Sequence, residues 1–186
     1  GKTTIASLIV FILKDLGMDP GYLIGGIPIG FDRSSNIGKD PFFIVEADEY
    51  DTAFFDKRSK FIHYKPDVLL INNIEFDHVD IFDDIEQIIW QFHQLIRTLS
   101  PQSSIIANAD DLNIQKLFAL GVWSEIDYFT ASKSRAQKWV CALNDNGKYN
   151  LSLKGKNLGS INSKIFRKNN MQNITAAVEA LTKIGL

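Results

Sequence analysis

The chain has 186 residues, of which 45% are hydrophobic and 23% are charged. This length and composition are typical of one globular domain, and they exclude a disordered or collagen-like polymer. The formal net charge of −2 provides no overall attraction to nucleic acid or to anionic lipid, so any binding partner must be recognised by a local site.

The first predicted element is a helix over residues 2–16. Apolar side chains recur there at intervals of three and four residues, and Gly17 ends the pattern. The apolar run within it, residues 5–13, is much shorter than the ~20 residues that cross a bilayer, and no small-residue cleavage site follows. We therefore expect neither a membrane span nor an export signal.

Short apolar runs and amphipathic segments then alternate. The runs 22–24, 42–45 and 68–71 are typical of strands that are covered on both faces in a parallel sheet. Residues 83–100 are predicted as a helix, because apolar side chains repeat at three and four and two aspartates lie at its start.

A strand at 104–107, a helix at 111–120 and a strand near Tyr128 continue this alternation. The first 130 residues therefore predict an α/β fold, with a P-loop-type, mostly parallel sheet flanked by helices.

After Ala131 the pattern becomes that of antiparallel strands. The runs 139–143 and 149–153 flank Asn144-Asp145-Asn146-Gly147, which is a strong hairpin signal, and 157–165 is a candidate third strand. Residues 133–168 are thus predicted as a small antiparallel β ribbon near the C-terminal end of the same domain. An amphipathic helix over 170–184 completes the predicted elements.

The ribbon region is strongly basic. Between Lys133 and Lys168 there are nine bases and one acid. A solvated hairpin face explains such a run, and no aromatic stacking pattern accompanies the bases, so we expect no nucleic-acid partner. The single cysteine, Cys141, cannot form an internal disulfide, which favours a structural thiol and a cytoplasmic location.

Gly1-Lys2-Thr3-Thr4 opens the first helix. A helix N-terminus presents N–H groups to an anion, a lysine adds a full charge, and a hydroxyl can ligate Mg²⁺, so this segment resembles the end of a phosphate-binding loop. We expect the start of that loop and its preceding strand to lie upstream. The alternative is that Thr3 or Thr4 merely caps the helix.

An acidic segment, Glu46-Ala47-Asp48-Glu49-Tyr50-Asp51, follows a buried strand. Its four carboxylates repel one another unless a cation or solvent relieves them, and ligands of open α/β sheets sit at the carboxyl ends of strands. Glu46 is the best Mg²⁺ candidate because it lies closest to the strand end. An acidic surface loop remains the alternative.

The segment from Asn72 to Asp80 follows the next strand and contains His78. We expect His78 to converge with Lys2 and Glu46 at one edge of the sheet. Mg²⁺ prefers oxygen ligands, so the chemistry leaves open whether His78 binds metal or caps or packs.

Four other polar residues have simpler interpretations. His93 is expected to be a half-buried packing residue and His63 to lie in a polar loop. Asn170 and Asn173, at the start of the last helix, are N-cap candidates.

The order GKTT, EADEYD, NNIEFDHVD, ANADD and NNMQNITAA resembles the central ATP-binding domain of the Mur ligases, the amide-forming enzymes of bacterial peptidoglycan assembly. The resemblance spans essentially the whole chain. Residues 46–88 resemble most the branch that acts in peptidoglycan recycling. The branch that adds L-alanine shares the EADE and DH elements but has a shorter connection between them.

The resemblance implies specific roles for the candidate residues. Lys2 would contact the phosphates of ATP, and Thr3 would hold Mg²⁺. Glu46 and His78 would hold a second metal ion beside the γ-phosphate, which makes Lys2 and His78 the candidate catalytic residues. No lysine occurs from 81 to 100, so the carbamylated lysine of some Mur ligases is not expected.

Nucleotide contacts are implied at both ends of the chain. Gly1 and Thr4 would complete the visible part of the phosphate loop, and Asn170 and Asn173 match the asparagines on the adenine side. Asn169 stands where the family usually has a histidine, which departs from its pattern.

The resemblance also implies a reaction. The carboxylate of UDP-N-acetylmuramate attacks the γ-phosphate of ATP, and the amine of a cell-wall tripeptide displaces phosphate from the acyl phosphate. An N-terminal UDP-sugar domain and a C-terminal ligase domain are expected outside these 186 residues, so the chain alone is expected to be inactive. Another P-loop enzyme, such as a small-molecule kinase, and a non-catalytic nucleotide-binding module remain alternatives.

Overall fold

The structure is a computed structural model that describes residues 1–48, 50–53, 56–76, 82–131, 139–143, 148–161 and 168–186. Its elements, in chain order, are α1 (Lys2–Asp15), β1 (Gly21–Leu23), β2 (Ser35–Asn36), β3 (Phe43–Val45), β4 (Asp51–Ala53), β5 (Asp56–Ser59), a 3₁₀ helix (Lys60–His63), β6 (Val68–Ile71), α2 (Ile85–Arg97), β7 (Ser104–Asn108), α3 (Leu112–Ala119), β8 (Glu125–Thr130), β9 (Trp139–Leu143), β10 (Tyr149–Leu153), β11 (Lys156–Ile161) and α4 (Lys168–Lys183).

Aspartate caps determine where two of the helices begin. The Asp84 carboxylate accepts a hydrogen bond from the backbone N–H of Gln87 at 2.8 Å, so α2 starts at Ile85 rather than at the predicted residue 83. Asp111 caps α3 by accepting from the N–H groups of Asn113 and Ile114. Each cap satisfies N–H groups that have no partner inside the helix.

The main sheet has six strands in the order β11-β10-β9-β8-β7-β6. Strands β6 to β9 are parallel, and β9, β10 and β11 are antiparallel. The predicted ribbon is therefore continuous with the main sheet, because β9 pairs with β8 through Phe129 opposite Trp139. The turn predicted at 144–147 lies outside the described residues.

Helices cover both faces of this sheet. On β7, the neighbour of the edge strand β6, Ile105 packs into the core formed with α2 and α3, whereas Ile106 packs into the core formed with α1 and α4. Successive side chains of a strand point to opposite faces, so a continuous apolar run indicates two covered faces. In the described part of the chain, no helix is long and apolar enough to span a membrane.

The strands β1 and β3 do not join the main sheet, contrary to the expectation that they and β6 share one. They are parallel to each other and, with β2, form a separate sheet in the order β2-β1-β3. Within the described residues, β3 pairs only with β1 and β6 pairs only with β7. Each of these two strands therefore has one edge without a β partner.

A cavity of about 520 Å³ lies between those two edges, and we call it the slot. Residues 43–47 and 68–73 line it without interruption, so it runs along the strand edges and not along one face. Apolar side chains of α1, including Ile5 and Ile9, close the slot on one side, and Phe61 and Phe92 close it on the other. The slot thus has the surroundings of a buried parallel strand.

The end of α4 is tied to β8 by Lys183. Its ammonium donates to the Asp127 carboxylate at 2.8 Å and to the Glu125 carboxylate at 2.7 Å. The hydrogen bonds to Asp127 and Glu125 raise the pKa of Lys183 above its ordinary value of 10.5. A raised folded-state pKa gives a stabilisation that is complete below the unfolded-state pKa and is lost as pH rises through the folded-state pKa.

We therefore expect Lys183→Met to lower the free energy of unfolding by about 1 kcal/mol at neutral pH, where the ion pairs are intact. The difference between the two proteins should stay constant from about pH 8 to about pH 10 and should shrink as the pH is raised further to about 11.5. Urea unfolding of both proteins across that range measures it. A difference that stays constant with pH would show that Lys183 acts through packing alone.

The structure also shows the positions of three residues for which the sequence predicted a packing or surface role. His93 is buried between the rings of Trp90 and Trp123, more deeply than the half-buried position expected. His63 is exposed, in the 3₁₀ helix rather than in an irregular loop. Cys141 is buried in β9, and burial raises the pKa of its thiol despite an opposing hydrogen bond with Thr175.

Candidate phosphate and metal site

The start of α1 meets the end of β3 through the side chain of Glu46. The Thr3 hydroxyl donates to Glu46 Oε1 at 2.6 Å, and the backbone N–H of Gly25 donates to Oε2 at 2.7 Å. Both carboxylate oxygens are therefore fixed, one by α1 and one by the segment that follows β1. A Cβ at Gly25 would lie 3.3 Å from Oε2, so a residue with a side chain would crowd this contact.

Lys2 lies at the same edge. Its ammonium is 3.4 Å from the Asp48 carboxylate, and the two side chains are 46% and 43% exposed. An ion pair this exposed contributes little to stability. The ammonium of Lys2 instead lowers the repulsion between the carboxylates of Glu46 and Asp48, because it places a positive charge beside them.

The hydroxyl of Thr3 does not cap α1, contrary to one of the two alternatives. The N-cap residue is Gly1, and no side chain in the described ranges makes a capping hydrogen bond to this helix. Thr4 is exposed in the first turn. The N–H groups of an uncapped first turn, together with the helix dipole, suit an anion such as phosphate.

The donor set at this edge fits magnesium. A threonine hydroxyl has one proton and two lone pairs, so Thr3 can donate to Glu46 and still offer a lone pair to a cation. Hydroxyl and carboxylate oxygens are the ligands that Mg²⁺ prefers. The described residues contain no group of three or more His, Cys, Asp or Glu placed to hold a metal ion. His78 belongs to 77–81, which lie outside the described residues.

A cluster of asparagines lies at the end of β6. The Asn72 side-chain amide donates to Asn173 Oδ1 at 3.3 Å and to Asn73 Oδ1 at 3.2 Å. Asn173 is 3% exposed, and Asn170 is half-buried. Both lie inside α4 (Lys168–Lys183), so the interpretation of these two residues as N-caps is wrong.

The two groups of residues flank one end of the slot. Lys2 and Glu46 line it from the side of α1 and β3, and Asn72 and Asn73 line it from the side of β6. Sequence reasoning did not single out Gly25 or Asn72. Gly25 acts through its backbone, which no side-chain pattern reveals, although its place directly after an apolar run is a weak signal.

Comparisons with known proteins identify the family of this chain. Residues 1–181 match the Mur ligase middle domain. The whole chain is 41% identical to UDP-N-acetylmuramate--L-alanyl-gamma-D-glutamyl-meso-2,6-diaminoheptandioate ligase of Escherichia coli (strain K12), of which it covers 40%. It is 38% identical to the ligase of the same name from Haemophilus influenzae, of which it covers 41%.

A solved structure shares the fold. The chain matches the crystal structure of UDP-N-acetylmuramate:L-alanyl-gamma-D-glutamyl-meso-diaminopimelate ligase (MPL) from Neisseria meningitides with a TM-score of 0.89 and 38% identity, covering 100% of this chain and 59% of that one. The chain spans about two fifths of the length of the curated relatives that it matches. The α/β fold, the matched family model and the full-length identity establish that this chain belongs to the Mur ligase family, as a middle domain.

Proposed function

We propose that this chain is the nucleotide-binding domain of an ATP-dependent ligase. The ligase joins UDP-N-acetylmuramate to L-alanyl-γ-D-glutamyl-meso-diaminopimelate in peptidoglycan recycling, in the cytoplasm. The observation that carries the proposal is the contact of Thr3 with Glu46 at the start of α1, beside Lys2. It occurs in a chain that is 41% identical over its full length to a ligase of that name.

The chemistry requires activation of a poor electrophile. The muramyl carboxylate oxygen bonds to the γ-phosphorus of ATP while the bond to the β-phosphate oxygen breaks, which yields an acyl phosphate and ADP. The tripeptide amine then attacks the acyl carbon, inorganic phosphate leaves, and the amine loses a proton. Lys2 and the N-terminus of α1 place positive charge where phosphate oxygens accumulate negative charge.

The proposed contacts to magnesium and to the phosphates involve the same edge of the sheet. Thr3 and Glu46, with His78, would hold magnesium, which supplies charge that offsets the crowded anions when bound. Gly1 and Thr4 would belong to the phosphate loop around Lys2.

Asn170 and Asn173 are proposed on the base side of the nucleotide. Asn173 supports this placement, because its amide lies beside the end of β6, next to the slot.

We also assign the slot to a strand of the same polypeptide that leads into Gly1 through the first half of the phosphate loop. Such a strand would run parallel to β3 and β6 and would join the two sheets into one. A UDP-sugar domain and a domain that brings the tripeptide would flank this one in the sequence. Residues 1–186 alone are accordingly expected to show no turnover.

Phosphate release by the complete polypeptide tests the proposal. We expect release that depends on ATP, magnesium, UDP-N-acetylmuramate and the tripeptide together, with no release when free L-alanine replaces the tripeptide. Release with L-alanine would indicate the alanine-adding branch of the family. Phosphorylation of a different acceptor would indicate a kinase, and ATP binding without release under any of these conditions would indicate a non-catalytic module.

A further inference from the structure

The amide of Asn72 is the centre of a group of three asparagines. Its nitrogen donates to Asn73 and to Asn173, so both of its N–H hydrogens are used. Its own oxygen, Oδ1, is buried and accepts no hydrogen bond within the described part of the chain. A buried polar atom without a partner is rare in folded proteins and is often found at a functional site.

These two hydrogen bonds determine how the neighbouring amides are turned. A side-chain amide has an oxygen that accepts and a nitrogen that donates, and the two ends are nearly equal in shape. Because Asn173 presents its oxygen to Asn72, its NH₂ group must point the other way. Turning it over would bring two NH₂ groups together and remove the hydrogen bond.

The fixed orientation of the Asn173 amide matters because of where Asn173 lies. Asn173 is almost fully buried in α4, and its hydrogen bond to Asn72 crosses to the end of β6 at the slot. An NH₂ group held in one direction recognises an acceptor atom, such as a ring nitrogen of a purine, and rejects a donor at the same place. Asn72 itself is 101 residues away in sequence and lines the slot from the side of β6.

We propose that Asn72 is a positioning residue, which orients the amide of Asn173 so that its NH₂ group donates to a ring nitrogen of the nucleotide base. The inference rests on the proposed function, which places Asn173 on the base side. Asn72 acts through Asn173 and does not touch the nucleotide.

The test is a double-mutant cycle on the KM for ATP in the complete polypeptide. We expect Asn72→Ala and Asn173→Ala each to raise the KM for ATP about tenfold, the effect of losing one hydrogen bond, while kcat changes less than about threefold. The double variant should match Asn173→Ala alone, because Asn72 has no role without Asn173. The KM for UDP-N-acetylmuramate should not change.

A matched control separates positioning from stability. Asn36, on β2, also donates two hydrogen bonds, to the Asp19 carboxylate and to the Pro20 carbonyl, away from the slot. Asn36→Ala should lower the melting temperature and leave the KM for ATP unchanged. If Asn72→Ala does not fold, Asn72→Asp keeps the shape, removes both donors and should raise the KM for ATP in the same way.

The outcomes are distinct. Additive effects in the cycle, or a normal KM for ATP in the Asn72 variants when Asn173→Ala raises it, would overturn the role of Asn72 and leave the proposed function intact. If Asn173→Ala also binds ATP normally, the base-side assignment itself fails, and the inference fails with it. A lower melting temperature with no change in either KM would show a purely structural asparagine.

Discussion

Glu46→Gln is expected to lower tripeptide-dependent phosphate release about 10²–10³-fold in the complete polypeptide, the usual cost of removing one charge-stabilising group from an active site. Glutamine has nearly the same shape as glutamate, but it removes the negative charge and places an NH₂ group toward either Thr3 or Gly25, which both donate to Glu46. A magnesium titration of the rate should show a weaker apparent affinity for the metal.

The matched control is Glu86→Gln, which makes the same chemical change at a side chain that is 67% exposed and paired with Lys116 on α3. Activity and magnesium dependence should stay within about twofold of the unchanged protein, because exposed pairs contribute little. If Glu46→Gln behaves like this control, Glu46 has no part in metal binding. A melting temperature for both variants excludes loss of the fold as the cause.

An apolar strand joined upstream of Gly1 is expected to stabilise the chain by about 3–5 kcal/mol, which corresponds to a rise of roughly 10 °C in melting temperature. The slot offers one edge each of β3 and β6, to which no described strand pairs, and apolar cover on both faces. Burial of each large side chain contributes about 1.5–3 kcal/mol, and ordering each residue of the strand costs about 1–2 kcal/mol. The net stabilisation is therefore much smaller than the sum of the burial contributions.

Thermal unfolding followed by circular dichroism measures this effect. The control is an extension of equal length in which two central apolar residues are replaced by aspartate, because a charge between two apolar layers is strongly unfavourable. Hydrogen exchange should show added protection in β3 and β6 only with the apolar extension. Equal melting temperatures for the two extensions would mean that the slot does not take a strand.

The helices and most strands could be predicted because their signals are local. The pattern in α2 and the continuous apolar run of β7 each depend on a few neighbouring residues, and the structure contains both. The grouping of strands into sheets could not be predicted in this way. The runs in β1, β3 and β6 look alike, yet β3 and β6 are separated by the slot.

The candidate site shows the same division. Thr3 and Glu46 were found because each follows a recognisable local pattern, the start of a helix and the end of a buried strand, and the structure brings them together. The contact between Asn72 and Asn173 joins residues 101 positions apart and leaves no local signal in the sequence. The second donor to Glu46 is the backbone of Gly25, for which the sequence offers only a weak signal. The role of His78 stays a prediction.

The two outer edges of the main sheet differ in a way that bears on self-association. On β11, the register shifts opposite Leu151 and Ser152, Gly159 has a φ of +145°, and Lys156 is exposed. A bulge, a glycine and a lysine make a poor template for an incoming chain. The edge of β6 lies against apolar layers, so when it is left uncovered, aggregation should begin there and not at β11.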